Sequence, residues 1–205
     1  MIKNILFDFG GVLFDLDFNK SFEAFEALGY TDIRNMFSQY HAGSLFKMLE
    51  TGRIAPADFY KSMQAVAPAP ATEEQIRNAF NAMLLGYRYK SLFYLAALKN
   101  DYNLYLLSNT NDIHYDYFIG LLQSETDYFS LDPFFTIPFY SQKIGYRKPD
   151  NAAFEFVLDT AGIKAAETLF IDDTYSNLPS AEALGFKTHL LLPSERVEEL
   201  DYTAY

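Results

Sequence analysis

Thr168-Leu169-Phe170-Ile171-Asp172-Asp173 and Asn4-Ile5-Leu6-Phe7-Asp8 decide how this sequence folds. Each is a short apolar run that stops on carboxylates. Runs this apolar fit central parallel strands covered on both faces. Between them lie Leu106-Leu107-Ser108-Asn109, which closes the same way on a hydroxyl and an amide, and Arg147-Lys148-Pro149. In an open parallel sheet the strand ends meet at one edge and form the ligand crevice. The side chains delivered there would be carboxylates, a hydroxyl, an amide and a lysine. That set suits a hard metal ion and a phosphate.

Working outward, five runs read as buried strands: residues 2–9, 103–107, 134–139, 167–171 and 187–192. Helical patterns separate most of them. Phe154, Val157, Leu158 and Ala161 recur at helical spacing before Gly162, and Ala181, Ala183 and Leu184 precede Gly185 in the same manner. Alternation of strand and helix predicts an α/β fold with a doubly wound parallel sheet. Residues 18–87 differ, because they read as all-helical. Thr72-Glu73-Glu74-Gln75 is a capping-box pattern, followed by a stripe of Ile76, Ala79, Phe80, Met83 and Leu84. Pro56 opens a second helix carrying Phe59, Tyr60, Met63 and Val66. The division expected is a core of residues 1–17 and 88–205 with a helical cap of residues 18–87 above the sheet edge. A lid of that kind excludes water and adds substrate contacts. Its aromatic residues Phe22, Phe25, Tyr40, Phe46 and Tyr60 are candidates for core or pocket.

Composition narrows the function. The 205 residues are enough for a full hydrophobic core. Absence of cysteine excludes disulfides, zinc-thiolate sites and a cysteine nucleophile. The formal net charge of −11 and the lack of a Lys/Arg block argue against nucleic acid. No apolar run approaches the ~20 residues needed to span a membrane. The first residues do not resemble a signal peptide, and a cytoplasmic protein is expected. His41, His114 and His189 are scattered and form no ligand pattern.

Four segments together resemble the haloacid dehalogenase (HAD) superfamily of hydrolases: Asp8-Phe9-Gly10-Gly11-Val12-Leu13, Ser108-Asn109-Thr110-Asn111, Arg147-Lys148-Pro149 and Asp172-Asp173-Thr174-Tyr175-Ser176-Asn177. Leu-Ser-Asn-Thr-Asn and Gly-Tyr-Arg-Lys-Pro bring the chain near α-D-glucose-1-phosphate phosphatases and the N-terminal phosphatase domain of soluble epoxide hydrolases. The resemblance implies a Rossmann-like core, a helical cap after strand one, Mg²⁺ and an aspartyl-phosphate. It also implies roles. Asp8 would be the nucleophile. Mg²⁺ would be held by Asp8, the Gly10 carbonyl and Asp173. Ser108, Asn109 and Lys148 would hold the phosphate. Asp172 would orient Lys148 or water, and Asn177 would anchor the loop. The substrate implied is a small phosphorylated metabolite, with a sugar-1-phosphate as one candidate.

One position departs from the pattern. Most HAD phosphatases carry an acid two residues after the nucleophile, and here that residue is Gly10. General acid-base help is typically worth ~10²–10⁴-fold. Either the leaving group needs little protonation, or Asp15, Asp17 or Asn111 substitutes, or the enzyme is slow. Gly10 could also be glycine for backbone freedom. Two other functions are compatible with the motifs: a 2-haloacid dehalogenase, whose halide leaves without a proton, and a non-catalytic HAD-fold binding module.

Overall fold

The computed structural model describes residues 1–38 and 45–205. Tyr40 and His41 lie outside the described residues. The chain begins with β1 (Asn4–Phe7) and β2 (Phe14–Leu16). It continues through α1 (Phe18–Ala27), α2 (Ile33–Ser38), α3 (Leu45–Glu50), α4 (Pro56–Ala65) and α5 (Glu73–Asn81) to β3 (Leu84–Tyr87). Then come α6 (Tyr89–Leu98), β4 (Asn103–Ser108), α7 (Asp112–Glu125), β5 (Ile137–Tyr140) and α8 (Ser141–Ile144). The last elements are α9 (Asn151–Ala161), β6 (Thr168–Asp172), α10 (Leu178–Ala183) and β7 (Lys187–Leu190). No described helix is long and apolar enough to cross a membrane.

The five expected strands form one sheet, ordered β5-β4-β1-β6-β7, with every neighbouring pair parallel. β1 is central and fully buried. Ile5 lies between Leu104 and Leu169, and Phe7 between Leu106 and Ile171. Alternate residues serve opposite faces. Ile5, Phe7, Leu106 and Ile171 join one apolar cluster, and Leu6, Leu107 and Phe170 join the other against α9 and α10. This two-sided burial is why the strands read as unbroken apolar runs. β5 starts later than expected, because Asp132–Phe134 forms a 3₁₀ turn under a proline.

The helical stretch is shorter than the sequence suggests. α5 stops at Asn81, and the chain returns as β3, antiparallel to β2. Leu84 therefore sits in a strand instead of on the helix stripe. The pairing gives backbone partners to residues around Gly86, a poor helix former, and the Asp17 N–H bonds the Met83 carbonyl at 2.9 Å. α4 also ends early, which leaves Val66 57% exposed while Phe59, Tyr60 and Met63 are buried. The capping box is present: Thr72 accepts from the Gln75 N–H at 3.1 Å, and the Thr72 N–H donates to Gln75 Oε1 at 2.8 Å. Thr72→Ala is expected to lower stability by about 1 kcal/mol, read as a drop in the urea midpoint. An unchanged midpoint would show that packing alone holds α5.

Candidate active site

Three strand ends deliver the expected groups to one edge. The Asp8 N–H still bonds the Ile171 carbonyl at 2.8 Å, so the ladder fixes where its side chain leaves the sheet. β4 runs to Ser108 and β6 to Asp172. Lys148, on the loop after α8, is 1% exposed, with Nζ 2.6 Å from Asp8 Oδ1 and 2.7 Å from Asp172 Oδ2. Asp172 also accepts from the Thr174 N–H at 2.8 Å and from the Asn177 amide at 3.0 Å. Asp172 and Asn177 thus fix the lysine and the following loop from below.

The side chain of Asn109 is used within the protein. Its amide donates to the Lys148 carbonyl at 2.8 Å and accepts from the Lys148 N–H at 2.9 Å. The side chain clamps the lysine backbone, so any phosphate contact falls to its own N–H. Asn111 starts α7, accepting from the His114 N–H. Ser141 Oγ ties the same loops together, accepting from the Thr110 N–H and donating to the Thr110 carbonyl, both at 2.9 Å.

Asp8, Asp172 and Asp173 each offer a carboxylate oxygen within 4.8 Å of the others. Burial pushes Asp8 up to about 7; Lys148 pulls it down, and Asp172 and Asp173 push it further up. Burial, then the Asp172 charge, raises Asp173. Burial opposes the charge on Lys148, yet the two carboxylates hold its pKa above the ordinary lysine value. Three carboxylates against one lysine leave an excess of negative charge that a divalent cation would offset. Since Asp172 is engaged with Lys148, Thr174 and Asn177, the oxygens best able to hold a cation belong to Asp8 and Asp173. Gly11, at φ 72°, has no side chain to collide with the Asp173 carboxylate that lies against it.

Gly10 does not need glycine's freedom, because its φ is not in the left-handed region. Instead, a Cβ built there would lie 2.5 Å from Leu16 Cδ1. None of the three expected substitutes for the missing acid lines the cavity. Asp15 pairs with Arg88 at 2.6 Å, Asp17 caps α1 through the Asn19 N–H, and Asn111 caps α7.

The cavity above these groups has a volume of about 580 Å³ and is lined by Asp8, Gly10, Ser108, Asn109, Lys148, Asp173 and Asn177, with side chains from α1, α2 and α5 opposite. Phe22 lines it, whereas Phe25 and Phe46 are core and Tyr60 lies elsewhere. Glu50 and His114 also line the cavity, and the sequence did not single them out as site residues. Glu50 of α3 pairs with Arg147 at 2.9 Å, and both are nearly buried. His114, on the first turn of α7, is neutral at neutral pH because burial pushes it down to about 4. Nothing local marks Glu50 or His114, since each acquires its place from an element distant in sequence.

A family model described as haloacid dehalogenase-like hydrolase matches residues 2–185. The chain is 32% identical over 192 residues to a D-ribitol-5-phosphate phosphatase of Bacteroides thetaiotaomicron, covering 92% of this chain and 91% of that protein. It is 29% identical over 188 residues to a sesquiterpene phosphatase of Aspergillus oryzae, covering 89% and 86%. Among solved structures, it is similar to a wild-type HAD family enzyme from B. thetaiotaomicron in complex with magnesium and inorganic phosphate. The TM-score is 0.85 at 32% identity, over 100% of this chain and 98% of that one. With the four motifs gathered at one sheet edge and this extent of likeness, the chain belongs to the haloacid dehalogenase-like hydrolases.

Proposed function

We propose that the chain is a magnesium-dependent phosphomonoester hydrolase that works through an aspartyl-phosphate on Asp8. The observation that carries this reading is the Lys148 ammonium held between Asp8 and Asp172, with Asp173 beside them at the floor of one cavity. An Asp8 oxygen attacks phosphorus, and the bond from phosphorus to the ester oxygen breaks. The leaving alkoxide takes its proton from water. A second water then attacks the phosphoryl group, the bond to Asp8 breaks, and inorganic phosphate departs with the carboxylate restored. Ser108, the Asn109 N–H and Lys148 hold phosphoryl oxygens. Mg²⁺, when bound, neutralises charge between nucleophile and phosphate, with Asp8, Asp173 and the Gly10 carbonyl as its oxygen ligands. Asp172 and Asn177 keep the lysine aimed.

Helices α1–α5 act as the cap, residues 18–87, over a core of residues 1–17 and 88–205. The shared lining of the cavity supports this. The cysteine-free sequence is consistent with a cytoplasmic enzyme.

Gly10, with Leu16 beside it, favours esters whose leaving group needs little protonation. Sugar-1-phosphates and aryl phosphates are both of that kind. The relatives' names span a pentitol phosphate and a terpenoid phosphate, so kinship supports the chemistry and leaves the substrate open. A 2-haloacid dehalogenase is less well supported, because Asp173 adds a second carboxylate next to Asp172 near an anionic substrate. A binding module is less well supported because Asp8, Lys148 and Asp173 are all present and in contact range.

The test is phosphate release from p-nitrophenyl phosphate and a panel of sugar phosphates. Turnover is expected in Mg²⁺ and loss of turnover in EDTA. Dehalogenation of a 2-haloacid in EDTA, with no phosphate release in Mg²⁺, would reject the reading.

A further inference from the structure

The lining of the cavity has two characters. Its floor carries the carboxylates, Ser108 and Lys148. Other walls are Phe18, Phe22 and Phe37 from the first two helices, Phe80 from α5, Met83 after it and Leu84 at the start of β3. The apolar wall reaches the reacting end as well, because Leu16 fills the space beside Gly10.

The charged groups named in the lining beyond the floor are engaged with the protein. The Arg34 guanidinium bonds Glu26 at 3.0 Å and lies 4.7 Å over the Phe22 ring. Glu50 and Arg147 pair with each other. The exception is His114, whose buried Nε2 has no hydrogen-bond partner among the described residues and whose ring lies 4.0 Å from the Phe80 ring. Against the aromatic walls, one unpartnered ring nitrogen is too little to meet the several hydroxyls of a polyol.

On the reading of this site as a phosphatase, we propose that the alcohol esterified in its substrate is apolar: a phenol or aliphatic alcohol that lies against the aromatic walls of the cavity. Apolar carbon gains by leaving water for such walls. A polyhydric alcohol would bring several hydroxyls against aromatic rings, each stripped of water without a replacement partner. Of the two, the phenol suits Gly10, since it departs with little need of a proton; an alkyl ester fills the same walls and turns over more slowly.

The experiment compares n-pentyl phosphate with D-ribitol 5-phosphate in Mg²⁺. Both are five-carbon primary esters; the hydroxyls of ribitol make it the more acidic leaving group, so a faster pentyl phosphate cannot come from leaving-group acidity. Pentyl phosphate is expected to have the higher kcat/KM by about tenfold or more, the factor for one unsatisfied hydroxyl. From ethyl to pentyl phosphate, kcat/KM should rise by up to about fourfold per methylene. Phe18→Ser, at a half-exposed position, should lower the pentyl phosphate value more than the ethyl phosphate value. Ribitol phosphate equal to or faster than pentyl phosphate, or a value flat in chain length, would overturn the inference and leave the phosphatase reading standing. No turnover of any ester, p-nitrophenyl phosphate included, would remove both.

Discussion

Asp8→Asn is expected to lower kcat on the order of 10⁴-fold, equivalent to ~5 kcal/mol of barrier. The amide keeps the shape of the carboxylate and its place 2.6 Å from Lys148, but it cannot open the acyl-phosphate route. The folded protein should not suffer. Burial and two neighbouring carboxylates push Asp8 upward, so its charged form is less favourable in the fold than in the unfolded chain. A carboxyl raised in the fold costs stability once the pH passes its unfolded value, and that cost is in full once the pH exceeds the folded one. A neutral amide removes it. The variant measured in EDTA near pH 8 should therefore melt no lower than the wild type. Phosphate release in Mg²⁺ checks the first half and calorimetry the second. More than about a tenth of wild-type kcat, under ~1.4 kcal/mol of barrier, would mean that Asp8 is not the nucleophile.

Lys148→Met should damage both properties. The ammonium is the cation that Asp8 and Asp172 share, and Asp172 is fully buried. Without it two carboxylates face each other in a water-poor site. Breaking a buried pair by removing one partner typically costs about 3–5 kcal/mol. Activity should fall by about 10³-fold, since the charge that meets the transferring phosphoryl group is gone. The two variants thus separate a chemical group from a structural one at the same site: one loses turnover and keeps its melting temperature, the other loses both. Lys148→Met with unchanged stability would show that Asp8 and Asp172 find other partners.

The sheet was legible because each central strand is apolar on both faces and ends on a chemically distinct residue. Asp8, Ser108, Lys148, Asp172 and Asp173 could be picked out for the same reason. β2 and β3 were not legible. β2 has three residues, too few for a period, and β3 continues a helical stripe until cross-strand pairing claims it. The supporting contacts were hidden for a different reason. The amide of Asn109 finds its partner 39 residues away in the Lys148 backbone, and Glu50 finds Arg147. Local pattern carries no record of such meetings. Asp15, Asp17 and Asn111 show the converse error: being close to Asp8 or Ser108 in sequence did not place them in the cavity, because a salt bridge and two helix caps use them.

The ribbon of β2 and β3 has an evolutionary consequence. Asp15 stands opposite Gly86 and Leu16 opposite Leu84, so the chain goes out to the helices and comes back from them across one two-stranded ribbon. Whatever lies between is a closed detour, and its length does not alter the register of β1 against β4. Closing a detour twice as long costs only about 0.6 kcal/mol more. Growth, shrinkage or replacement of the segment between Leu16 and Leu84 is thus the cheapest route by which descendants of this chain would acquire new substrates, with the chemistry beneath inherited unchanged.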